Sequence, residues 1–113
     1  MTMRIGYHLA PSQFRASIAA HGLNASRSGR RHDPRSHAPV AVYFHMSRAA
    51  VDDMMSLGLG RTHDLYRVRI PSDVLLYVDP YEESARFAIV RIGPEHVTLI
   101  RPASRTSRDR ARR

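Results

Sequence analysis

Apolar and polar positions change period along the chain, and the changes mark its elements. Residues 3–9 alternate, with Met3, Ile5, Tyr7 and Leu9 separated by Arg4, Gly6 and His8, which predicts a first strand. The period then lengthens. Phe14 and Ile18 stand four apart among Ala16, Ala19 and Ala20, so a helix over 12–21 follows. Pro11 or Ser12 opens it, because Pro is tolerated in a first turn and Ser accepts an orphan N–H. Gly22 closes it in a left-handed conformation, and Leu23 folds back. Val40-Ala41-Val42-Tyr43-Phe44 is a β-branched and aromatic run, read as a buried strand. Ser47 caps a second helix that ends near Gly58; Val51, Met54 and Met55 keep the i, i+3, i+4 spacing. Asp52 and Asp53 form its solvated face, in the half that the helix dipole favours for acids. Further strands are expected at 65–70, 74–78, 87–92 and 97–101, with a turn at 70–73 and a tight connection at 93–96.

Helices come early and strands fill the second half, which predicts an α+β domain rather than a doubly wound parallel sheet. Residues 1–101 form one domain. Residues 24–39 break its periodicity: Ser, Gly, Pro, His and four arginines (Arg27, Arg30, Arg31, Arg35) make a basic loop, long enough to be functional or disordered. Residues 102–113 are an arginine-rich tail with almost nothing apolar, expected to be disordered.

The chain of 113 residues carries 18 basic against 10 acidic side chains, and every basic one is arginine. A GC-rich coding bias is one explanation for the absence of lysine; the other is an anionic partner, since arginine forks suit phosphate oxygens. Without cysteine there is no disulfide and no thiolate zinc site. The seven histidines show no ligand spacing on a defined element, so no metal site is expected. No apolar run approaches the roughly 18 residues that cross a bilayer, and the N-terminus lacks a signal-peptide core, which makes a cytoplasmic protein the simplest reading. No phosphate-binding G-x-x-x-x-G-K-[ST] loop and no nucleophile elbow is present.

One series of residues carries a resemblance. His8 at a strand end, Ile18-x-x-x-Gly22-Leu23 closing the helix, and Val42-Tyr43-Phe44 followed by Met46-Ser47 and Ala50 resemble the NAD-binding core of the ADP-ribosyltransferase superfamily. The likeness is in the style of its poly-ADP-ribose polymerase, DNA-modifying toxin and RNA 2′-phosphotransferase branches, and it covers residues 5–55. It implies a small split β-sheet with two early helices. It also implies that His8 bonds ribose hydroxyls of NAD, that the Leu9 backbone receives the carboxamide, that Tyr43 stacks on the nicotinamide ring, and that Ser47 lies beside it. The chemistry of these side chains suits those tasks. Pro39-Val40-Ala41 stands where the family places a glycine, and the position of the family's catalytic glutamate falls near Arg86. Glu82 and Glu83, just before it, are the carboxylates that could replace it; Glu95 lies beyond the strand. Some branches work with arginines instead, and Arg86 would then bind a phosphate.

The resemblance thus implies an NAD-dependent enzyme that passes ADP-ribose to a macromolecular acceptor, a nucleic acid or a host protein. Two other readings stand beside it. One is a non-catalytic basic protein or inhibitor on the same scaffold, docking on a partner protein or nucleic acid. The other is a plain nucleic-acid binder, whose affinity would fall steeply with salt.

Overall fold

The alternating residues near the N-terminus become the centre of the sheet. The computed structural model describes residues 3–24, 41–79 and 84–104. Its strands are β1 (Arg4–Pro11), β2 (Val42–His45), β3 (His63–Ile70), β4 (Tyr77–Val78), β5 (Ala85–Ala88) and β6 (Val97–Arg101), and its helices are α1 (Arg15–His21) and α2 (Arg48–Ser56). Every pairing is antiparallel, in the order β4-β5-β2-β1-β3-β6. The domain is α+β, as the order of periodicities predicts.

The two neighbours of β1 hold it very differently. β3 is registered against it along its whole length, from Arg4↔Ile70 to Pro11↔His63. β2 shares a single registered pair with it, Tyr7↔His45. Beyond that pair the two strands fork.

α1 covers one face of the sheet and α2 part of the other, so in β1 Gly6, His8 and Ala10 are buried, Tyr7 and Leu9 half-buried, and Ile5 exposed. Gly6, His8 and Ala10 face α1 together with Val42, Phe44, Tyr66 and Val68. Tyr7 and Leu9 face α2, where they meet Val51, Met55 and Leu65. Phe44, Val42, Val68 and Ile70 are fully buried; each contributes about 1.5–3 kcal/mol relative to exposure. Gly6 is needed here, since an added Cβ would lie 3.1 Å from both Phe44 and Ile70.

Several boundaries differ from the sequence reading. β1 runs on to Pro11, so His8 sits inside the strand and not at its end. Ser12–Phe14 is a 3₁₀ turn, and no side chain caps it or α1. The Ser12 N–H is instead taken by the Thr62 carbonyl at 3.0 Å. Gly22 does close α1, at φ 75°, its N–H donating to Ile18 at 2.8 Å. A Cβ there would stand 2.0 Å from the Ile92 carbonyl oxygen, because Leu23 and Ile92 exchange backbone hydrogen bonds of 2.8 and 2.9 Å. That exchange also shifts β5. Ile92 leaves the expected strand to bridge Leu23, Ile89 and Val90 bend outward into solvent, and pairing starts earlier, at Ala85. The strand expected at 74–78 shrinks to Tyr77–Val78. Ser47 caps α2 as expected, its hydroxyl accepting from the Ala50 N–H at 3.2 Å.

The expected basic loop and tail fall outside the described residues apart from Asn24 and 102–104. Pro102–Ser104 continue the fold: the Ser104 N–H donates to Gly60 at 2.9 Å and the Ala103 N–H to Asp64 at 2.7 Å. Among the described residues no helix is long and apolar enough to cross a membrane.

Candidate functional site at the fork of two strands

His8 occupies the place where β1 and β2 part. Its Nδ1 lies 2.8 Å from the Tyr43 carbonyl oxygen across the fork, and its ring meets Phe44 edge-on at 6.4 Å. A carbonyl oxygen can only accept, so Nδ1 carries the proton and donates. Burial lowers the His8 pKa from its ordinary value of 6.5; the bond to Tyr43 opposes this, and nearby His45 adds to it. The imidazole is therefore neutral at neutral pH, and Nε2 keeps its lone pair as an acceptor. Its surroundings form a hollow between α1, β1 and β2, lined by His8, Ala10, Phe14, Ile18, Gly22, Leu23, Asn24 and Val42. The enclosed space is about 10 Å³, close to the smallest that holds one water.

The register distributes the other expected site residues. Phe44 pairs with Arg86, so His8, Phe44 and Arg86 form one row on the α1 face. Two strand spacings separate His8 from Arg86, about 10 Å between backbones. Arg86 donates from Nη1 to the Ala85 carbonyl at 2.8 Å. Tyr43 is one residue out of step with that row. Its ring lies on the α2 face, 5.5 Å from Phe87, which stacks in turn on Tyr77 at 5.3 Å. The structure thus brings the Tyr43 carbonyl to His8 and turns the Tyr43 ring away from it. Leu9 sends its side chain to the α2 cluster, while its backbone borders the fork. Ser47 stands past the end of β2, engaged in capping. Glu82 and Glu83 lie outside the described residues.

A second polar centre on the same face has no counterpart in the sequence reading. Asp64, fully buried, receives Arg15 in a two-pronged grip: Nε to Oδ2 at 2.9 Å and Nη2 to Oδ1 at 2.7 Å. The Ala103 N–H donates to Oδ1 at 2.7 Å, and the Tyr66 hydroxyl reaches Oδ2 at 3.4 Å. Burial alone would raise the Asp64 pKa; the Arg15 fork, the Ala103 N–H and the Tyr66 hydroxyl outweigh it and hold the carboxyl below its ordinary value. Burial and the neighbouring Asp64 push the Tyr66 phenol up to about 12. One signal of this node is visible in the chain: a lone acid among the buried positions of a strand. Its partner, 49 residues earlier, is not. A cavity of about 110 Å³, lined by Arg15, Ile18, Ala19, Tyr66, Val97 and Leu99, adjoins the node.

Among the described residues no three His, Cys, Asp or Glu side chains converge as metal ligands. Neither the protein-family models nor the curated proteins contain a match to this chain.

Proposed function

We propose that the domain binds NAD at the β1–β2 fork and transfers ADP-ribose to a macromolecular acceptor, in the manner of the ADP-ribosyltransferases its sequence resembles. One observation carries the reading: a buried, neutral histidine is fixed through Nδ1 by the neighbouring strand, with its acceptor nitrogen left for a ligand beside a hollow. A ribose hydroxyl donates to Nε2, the Leu9 backbone edge faces the same opening, and Arg86, in the His8 row, meets a phosphate oxygen. Tyr43 serves through its carbonyl, by fixing the His8 tautomer, and not by stacking. The hollow is too small for a nicotinamide ring, so binding includes a widening of the fork.

The reaction breaks the bond between the anomeric carbon and the nicotinamide nitrogen, and the bonding pair leaves with nicotinamide. The acceptor nucleophile bonds to that carbon and releases a proton. A guanidinium has no lone pair for that proton, so the task falls to Glu82 or Glu83, next to Arg86 in the chain.

Calorimetric titration with NAD, followed by assay of released nicotinamide, tests this reading. His8→Ala should weaken NAD binding about tenfold, equivalent to about 1.4 kcal/mol, the scale of one hydrogen bond. Tyr43→Phe, which keeps the carbonyl, should leave it unchanged. Equal affinity of the parent protein and His8→Ala would overturn the proposal. Arg86 in place of a glutamate favours one rival, a binding protein without turnover; NAD binding with no nicotinamide release would establish it.

A further inference from the structure

We infer that the outward face of β3 is a docking surface for the phosphate backbone of single-stranded nucleic acid. The inference rests on residues on the opposite face of the sheet from the His8 row, and its test does not involve NAD. In β3, Val68 and Ile70 face the α1 core and are fully buried, whereas Arg67 and Arg69 point the other way and are exposed. Two residues apart on one face of a strand, their backbones stand about 6.6–6.8 Å from each other, a separation comparable to that of successive phosphates on an extended nucleic-acid strand. The buried residues between and beside them hold this row rigid.

The surroundings distinguish the pair from an ordinary solvated face. Arg67 pairs across the sheet with Tyr7 on one side and Thr98 on the other, and Arg69 pairs with Ile5. None of these neighbours is acidic, although opposite charges are the arrangement that stabilises cross-strand pairs. Neither arginine has an ion-pair partner among the described residues. Asp52, on the helix that covers this face, is already held by Arg48 at 3.0 Å. Two like charges side by side on one strand repel, and a bound polyanion turns that repulsion into attraction. Ile5, 38% exposed, borders the row, while the Tyr7 ring beside it is packed under α2 and the Arg48 guanidinium. An exposed apolar side chain beside a basic row suits unstacked bases; a duplex keeps its base faces hidden.

Fluorescence anisotropy of a short mixed-sequence DNA strand, titrated with the full chain over a range of salt, tests the inference. Replacing two phosphate contacts should lower the slope of log affinity against log salt by about 1.4, which is a loss of about 25-fold at about 0.1 M salt. The variant is Arg67→Gln/Arg69→Gln. Both side chains are exposed and have no ion-pair partner among the described residues, so its circular dichroism and melting midpoint should match those of the parent. The control is Arg61→Gln/Arg101→Gln, with the same change in charge at two other exposed positions, and it should retain most of the slope. An equal loss in the control would overturn the inference, because net charge alone would then explain the binding. It would also be overturned by tighter binding of the matching duplex, or by polyglutamate binding as tightly as the DNA strand.

Discussion

Asp64 and His8 are buried on the same face of the sheet, one in the row of Ala10 and the other a row further along β1. Asp64 has spent its acceptor capacity on Arg15, Ala103 and Tyr66. His8 has spent one nitrogen on Tyr43 and has a small space beside it. Both groups are desolvated, but only one is left with something to offer a ligand. A buried ionisable residue is thus a candidate for function according to what its partners leave over, and burial alone does not decide the matter.

Breaking each centre should separate these roles. The largest effect is expected from Asp64→Ala, which strands Arg15, the Ala103 N–H and the Tyr66 hydroxyl together. The Arg15 side chain is 38% exposed, so the cost falls below the about 3–5 kcal/mol of a wholly buried pair; it is read as a fall in urea midpoint, and α1 and residues 102–104 should lose protection with it in hydrogen exchange. If Asp64→Ala melts like the parent, the node is not what joins these segments.

Acid should probe the two centres in separate windows. The folded His8 pKa lies below the unfolded 6.5, so the unfolded chain binds the proton first. Its contribution to stability is complete above about pH 6.5 and declines as the pH falls beneath that value. His63, also lowered by burial, acts in the same direction. Asp64 holds its contribution until the pH falls below its ordinary 3.8 and through its lowered value. Unfolding midpoints between pH 7 and 5 should therefore fall in the parent and fall less in His8→Gln, and Asp64 should matter only in stronger acid. An identical decline in His8→Gln would remove His8 from the first window.

The smallest expected change is Tyr66→Phe. It deletes the longest of the bonds to Asp64, at 3.4 Å, and should cost about 0.5–1.5 kcal/mol with no effect on NAD affinity. A loss of NAD binding in this variant would mean that the two centres act as one.

Much of the architecture was readable from local pattern. The alternation of residues 3–9, the glycine stop after Ile18, the Ser47 cap and the limits of β6 each depend on neighbours within a turn or two. What pattern does not carry is register. His8 and Tyr43 are each legible as candidates, yet whether their rings share a face depends on which residues of β1 and β2 stand opposite one another. A slip of one residue reverses every side chain. The same limit displaced β5: five apolar residues from Phe87 to Ile92, broken only by Arg91, give no hint that Ile92 belongs to Leu23. The Arg15–Asp64 pair was illegible for a related reason, since no spacing rule links a helix start to a strand so far along the chain.

The Ala103 bond to Asp64 also sets an order of events in biosynthesis. Asp64 emerges 39 residues ahead of the N–H that completes its shell. Until then its carboxylate must remain hydrated or rely on Arg15 and Tyr66, and the α1 face of the sheet cannot be fully sealed from water. The nascent chain can pair β1 with β3 early, but the finished core waits for a residue beyond the last strand. Folding of this domain is in that sense gated by translation.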